Sequence, residues 1–306
     1  MKHTPISTKD HHIALSFGLL SGLFLSLSGA FGKSLTTFAD LSIIIFIRFF
    51  GPFILILISY LFFRKQQNHK ISLWIYLLRA MFITISQYCL FYLLGHGNIL
   101  LAILLYSTHG MFTPFLEKIV FKYEIKIKTF IAILLGIIGV GITLGPIRHI
   151  SSLTLCIGLC SGFFAACSQI TLHHASKQQD PITINLLNYG FSSLIALFLV
   201  LIRIPSINIS SIESFFGWHG VVIILLFSLA SIGNQVSRSF AYARLNKAAS
   251  LTPYIYSSLI FSALIDWIWL GIMPMWYTYV GITIIILSSV IMSIRSPGQL
   301  NNTTPQ

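Results

Sequence analysis

Three arginines and one aspartate, Arg48, Arg79, Arg238 and Asp266, stand inside stretches that are otherwise apolar. An ionisable side chain at membrane depth costs several kcal/mol on insertion scales, so such groups face a cavity or a partner. A guanidinium offers a planar fork of donors that fits a carboxylate or phosphate through two parallel hydrogen bonds. A lone carboxyl can exchange a proton or hold an amine. If the apolar stretches are membrane helices, Arg48 lies roughly 10 Å and Asp266 roughly 9 Å inside the same membrane face. That shared depth leaves three readings open: a structural charge pair, a joint site in which Asp266 is the proton-coupling group while Arg48 receives an anion, or side chains that never meet. Arg79, about 12 Å in from the opposite face, is expected to line a cavity. Arg238 is a turn or so from its helix end and is expected to snorkel to the interface.

Other polar groups share those stretches. His109 is three residues from Tyr106 and four from Thr113, a spacing that puts them on one helical face. It reads either as a satisfied structural histidine or as a proton relay or substrate contact. Gln87, Asn188, Gln235, Tyr254, Tyr256 and Trp267 complete the expected substrate-binding set with Arg48, Arg79, Tyr106 and His109. The aromatics near helix ends also suit an interfacial belt, and a cage for an organic cation would need two or three of them to converge. Glu117 and Glu124 sit in a lysine-rich segment and are expected to be solvated. Three arginines against one aspartate favour a substrate with a negative group over a purely cationic drug.

Several chemistries are not indicated. No Walker, HExxH, GxSxG or GxGxxG context occurs, so neither an ATP-driven pump nor a familiar hydrolase is suggested, and no catalytic residue or cofactor is expected. Cys89, Cys156, Cys160 and Cys167 lie in apolar stretches without disulfide or CxxC metal spacing. They read as small packing residues, and no metal is expected.

The elements that must position these groups follow from composition. Of the 306 residues, 56% are hydrophobic and 8% charged, against about 25% charged in soluble domains. The fold class expected is an all-α integral membrane protein, with spans near 13–32, 42–63, 71–93, 99–116, 128–145, 151–173, 182–202, 218–241, 248–271 and 275–294. Residues 1–12 and 295–306 are polar tails, expected to be cytoplasmic and disordered. Lys2, Lys9, Arg64, Lys65, Lys70, Lys118, Lys122, Lys126, Lys128, Lys177, Arg244, Lys247 and Arg295 then fall on one side, with only Lys33, Arg148 and Arg203 on the other. The positive-inside rule places both termini in the cytoplasm, in a bacterial inner membrane. The net charge of +12 is this bias and not a nucleic-acid footprint. The partners expected are the lipid bilayer and a small-molecule substrate, with a homodimer left open.

The chain repeats itself. GLLSGLF at 18–24 returns as GLCSGFF at 158–164, and the same shift of 140 carries Asp40 onto Asp180 and Arg48 onto Asn188. A shift of 148 carries Asn98 onto Asn246 and Tyr106 onto Tyr254. The two units are 13–145 and 151–294. Five helices are an odd number of crossings, so the second copy would be inserted upside down, a construction frequent in secondary transporters. A repeat partner for the first span also argues against a cleaved signal peptide.

RFFGPFILIL from Arg48, FYLLGHGNILLAILLYS from Phe91 and the run from Phe240 to Gly271 resemble the EamA-type ten-helix carriers of the drug/metabolite transporter superfamily. The likeness covers nearly the whole chain. Glu124 matches the glutamate that usually closes the fourth span, whereas Ile272 occupies the corresponding place in the second half. The resemblance implies a carrier for a small organic solute, such as an amino-acid-like or nucleoside-like metabolite, coupled to protons or working by exchange. An exporter of amphipathic or cationic drugs, a membrane-embedded enzyme using Asp266 and His109, and a non-transporting scaffold are the competing readings.

Overall fold

The computed structural model describes residues 8–37, 39–62, 73–97, 99–122, 127–144, 151–203, 217–245 and 247–293. Among them the chain is helical, without strands. The first half contains α1 (Thr8–Leu35), α2 (Leu41–Phe62), α3 (Leu73–His96), α4 (Ile99–Ser107), α5 (His109–Phe121) and α6 (Ile127–Leu144). The second contains α7 (Ser152–Ala175), α8 (Pro181–Arg203) and α9 (Trp218–Arg244), a 3-10 turn at Ala248–Leu251, then α10 (Thr252–Ile255), α11 (Ser257–Leu270) and α12 (Trp276–Ser293). Helix α1 begins at Thr8, inside the segment expected to be a disordered tail.

Seven helical stretches among the described residues are long and apolar enough to cross a membrane. Three shorter apolar helices, Phe130–Thr143, Ser257–Leu270 and Trp276–Ser288, accompany them. Polarity is distributed inside out. Phe62, Ile119, Trp218 and Ile268 are exposed on the outer surface, while Arg48, Arg79, Gln87, Asn188, Arg238 and Asp266 are buried. A water-facing surface does not carry so large a continuous apolar area, so the outer face is the lipid face.

Two spans expected to be continuous are broken. The fourth breaks at Thr108, where the Met111 N–H bonds the Thr108 carbonyl at 2.9 Å. The ninth breaks at Tyr256, where the Leu259 N–H bonds the Tyr256 carbonyl at 2.9 Å. Thr108 (φ −58°, ψ −14°) and Tyr256 (φ −64°, ψ −14°) have nearly one conformation. They are also related by the shift of 148. Each break is a local switch from i−4 to i−3 hydrogen bonding, the 3-10 geometry that marks a helix interruption.

The packing obeys the same exchange. Helix α1 lies on α9 as α7 lies on α3; α1 lies on α11 as α7 lies on α4 and α5; α3 lies on α8 as α9 lies on α2. The pairs α2 with α8 and α6 with α12 map onto themselves, and the pair α4 with α11 maps onto the 3-10 turn with α5. Atomic contacts repeat too. The Ser86 and Ser161 hydroxyls donate to each other's carbonyls at 2.8 and 2.9 Å, and the equivalent pair, Ser21 and Asn234, is joined by the Asn234 amide donating to the Ser21 carbonyl at 2.8 Å. Glycine is required at two matched points. A Cβ on Gly22 would come 3.1 Å from the Ser258 nitrogen, and one on Gly162 would come 3.2 Å from the His109 nitrogen, so small residues let the backbones meet just beyond each break.

Candidate functional site

The interior polar residues are brought together by helix periodicity. On α9, Phe227, Ser231, Gln235, Arg238 and Tyr242 recur at steps of four, four, three and four, and all are buried. Seven residues separate Ser21 from Ser28 on α1 and eight separate Arg79 from Gln87 on α3, so each pair shares a face. Helix α2 supplies Arg48, and Pro52 one turn later lacks the N–H that would otherwise bond the Arg48 carbonyl. Helix α8 supplies Asn188 and Tyr189.

Arg48 is held by neutral groups. Its Nε donates to the Gln87 Oε1 at 3.0 Å, and one terminal nitrogen donates to the Ser28 hydroxyl and, at 2.5 Å, to the Ser231 hydroxyl. The rings of Phe91 and Phe227 lie 5.4 and 5.3 Å from its guanidinium carbon, a cation–π clamp. Asp266 takes no part. Its two carboxylate oxygens accept the Ile99 and Leu100 N–H groups at 3.1 and 2.7 Å, capping the start of α4. Of the three readings for this pair, the geometry is the one in which the side chains do not meet.

Arg79 and Arg238 are differently served. One terminal nitrogen of Arg79 reaches the Gln235 Oε1 at 3.4 Å, while its Nε and other terminal nitrogen are buried without a protein partner. Arg238 donates to the Ser21 hydroxyl at 3.3 Å and the Tyr106 hydroxyl at 3.5 Å, and its second terminal nitrogen is buried and unpartnered. Arg238 is fully buried, so the expectation that it snorkels is corrected: acceptors on α1 and α4 draw it inward. Neither amide atom of Asn188 has a partner. The Nδ1 of His109 lies 2.9 Å from the Tyr106 carbonyl, and its Nε2 is unpartnered.

The guanidiniums form one electrostatic unit. All three act on the Tyr189 hydroxyl, which donates to the Ser231 carbonyl at 2.8 Å. Arg238 also acts on Arg48 and on Arg79. Among the described residues none of the three hydrogen-bonds a carboxylate. Buried like charges without counter-ions are costly.

Residues expected at the site divide accordingly. The structure gathers Arg48, Arg79, Gln87, Tyr106, His109, Asn188 and Gln235 in the interior. Tyr256 is buried at the break in the ninth span, and Tyr254 is half-buried against Gly18. Trp267 is 45% exposed on the lipid face, a correction that follows from helix geometry: it is the next residue after Asp266, which points inward. Glu117 is not solvated but 3% exposed, with Oε1 accepting the Ala248 N–H at 2.7 Å. Glu124 lies outside the described residues. The serines that seat the arginines, Ser21, Ser28 and Ser231, were missed by attention to charge. The polar stripe on α9 was the signal that could have found Ser231.

The sequence matches the EamA-like transporter family over residues 12–145 and 152–294. None of the curated proteins matches the chain. Several chains of known structure share the fold. One, a crystal structure described only as that of a protein, is 10% identical, with a TM-score of 0.69 over 92% of this chain and 96% of the other. That likeness carries the fold alone. The match to both halves makes the chain a member of the EamA-like transporter family, a multi-pass helical membrane protein.

Proposed function

We propose that the protein is a secondary active transporter for a small organic solute bearing a carboxylate, phosphate or similar anionic group. It works by alternating access, coupled to protons or by exchange. The observation that carries the reading is the group of three buried guanidiniums that, among the described residues, bond no carboxylate, two of which keep unpartnered donors. Arg79 and Arg238 are the fork for the anion, with Asn188 and Gln235 adding neutral contacts. Arg48, held by Gln87, Ser28 and Ser231, ties the helices together around the fork. A zwitterionic or nucleotide-like metabolite suits such a seat better than a cation does.

The exchange-related packing supports two five-helix units of opposite insertion, ten spans in all, that rock about the buried centre. The basic residues on one side support cytoplasmic termini in a bacterial inner membrane. The test is thermal unfolding of detergent-purified protein against amino acids, dicarboxylates, nucleotides, sugar phosphates and quaternary amines. A solute at 100 times its Kd stabilises the folded state by about 2.7 kcal/mol. An anionic or zwitterionic solute should raise Tm by several degrees in the parent and have no effect on Arg79→Ala. A response to quaternary amines alone would overturn the reading.

A further inference from the structure

We propose that Asp266 and Glu117 are a pair of proton-binding latches, one at each end of the fourth and ninth spans, and that protonation of each opens its own end. The inference rests on the alternating-access reading and adds where protons act. Both acids do the same thing. Asp266, near the end of α11, accepts the Ile99 and Leu100 N–H groups at the start of α4. Glu117, near the end of α5, accepts the Ala248 N–H at the start of the ninth span, at 2.7 Å. The Ala249 N–H is also directed at it.

The two contacts are related by the repeat. A shift of 148 carries Leu100 onto Ala248, and carries residue 118, the neighbour of Glu117, onto Asp266. Glutamate is one methylene longer than aspartate, which offsets the difference of one residue. The fourth and ninth spans run side by side through α4 and α11. Each therefore closes its far end on the near end of the other, across 131 and 166 residues of sequence. Neither acid touches the arginine group, so neither is needed to neutralise it.

A carboxylate holding backbone N–H groups is a charge-assisted acceptor, roughly twice as strong as a neutral one. Adding a proton cancels the charge and turns one oxygen into a donor, which faces N–H donors and cannot bond them. The groups facing each latch differ. Asp266 meets Lys33 from α1, whose Nζ donates to the Leu94 carbonyl at 3.0 Å and to the Gly97 carbonyl. Glu117 meets Lys247 before the 3-10 turn and Tyr242 from α9, with His173 of α7 in the same corner, its Nε2 3.0 Å from the Leu245 carbonyl. The breaks at Thr108 and Tyr256 give each end a hinge of its own, so one latch can release while the other holds.

The test is alkylation of single reporter cysteines by N-ethylmaleimide in purified protein whose four native cysteines are replaced by alanine. Reporters are Leu100→Cys beside the Asp266 latch and Ala249→Cys beside the Glu117 latch, both positions being buried when latched. Glu117→Gln should speed labelling at 249 by about tenfold or more, the effect of losing one charge-assisted acceptor, and leave 100 unchanged. Asp266→Asn should do the reverse. Glu117→Asp, which keeps the charge but not the reach, should label as Glu117→Gln does and serves if the glutamine variant does not fold. Rates that change at both reporters with either variant, or at neither, would overturn the proposal. Labelling needs no solute, so failure of the anion-binding screen and failure of the latches are separate results.

Discussion

The two halves of the molecule share a scaffold and differ in charge. Their helices pack in the same pattern, break at Thr108 and Tyr256 with the same geometry, and bring glycine against the same places, Gly22 and Gly162. The arginines do not repeat. Arg48 stands opposite Asn188, Arg79 opposite Phe227, and Arg238 opposite Leu90. Gln87 and Gln235 are equivalent, yet one accepts from Arg48 on α2 and the other from Arg79 on α3. In the alternating-access reading proposed above, motion between two states related by exchange of the halves needs equivalent surfaces, which the duplicated contacts supply. A solute is not symmetric, and a second set of arginines would double a buried charge that already lacks a counter-ion among the described residues.

Restoring the symmetry should therefore be severe. Asn188→Arg copies the first repeat into the second and adds a fourth guanidinium to a fully buried position whose present amide atoms have no hydrogen-bond partner. Breaking or adding an uncompensated buried charge costs about 3–5 kcal/mol. The variant should lose most of its folded fraction by size-exclusion profile in detergent. A normal profile with unchanged Tm would mean that the interior has a counter-charge or water that disperses the arginines' field.

Removing the asymmetry from the other direction should separate binding from stability. Arg238→Leu copies Leu90 and deletes a buried cation whose bonds, at 3.3 and 3.5 Å, are long. Replacing buried ions by apolar groups is often neutral or stabilising, so the unliganded Tm should hold or rise. The solute found by thermal screening should bind at least about tenfold more weakly, the loss of one charge-assisted contact. Equal affinity would remove Arg238 from the fork and leave Arg79 as its centre.

What the residues disclosed on their own follows from the range of the interactions concerned. Apolar runs and basic flanks are local, so the helices are found close to their expected places, and the repeat in GLLSGLF and GLCSGFF points to the packing symmetry later seen between α1 and α7. Burial of a polar side chain depends on partners distant in sequence. Ser21, 217 residues from Arg238, is what turns that arginine inward. The Ala248 N–H, 131 residues from Glu117, is what buries a glutamate that sits among lysines. Depth alone leaves open whether Arg48 and Asp266 meet. Depth fixes only the position along the membrane normal, and the two side chains turn to different neighbours within the same layer.

The smallest effect sharpens the contrast between interior and lipid face. Trp267 follows Asp266 directly, and one step along a helix rotates a side chain by about 100°. Asp266 therefore holds α4 while Trp267, with Ile268, faces outward. Trp267→Leu keeps an apolar group on the lipid face and touches none of the guanidiniums. Its Tm should change within the range of an ordinary surface substitution, about 0.5 kcal/mol, and its affinity for the solute should match the parent's. A loss of affinity comparable with that of Arg238→Leu would mean that α11 rotates during transport far enough to carry its outer face to the centre. The helix would then be a turning element, and a latch on Asp266 would release by rotation instead of by separation of the two spans.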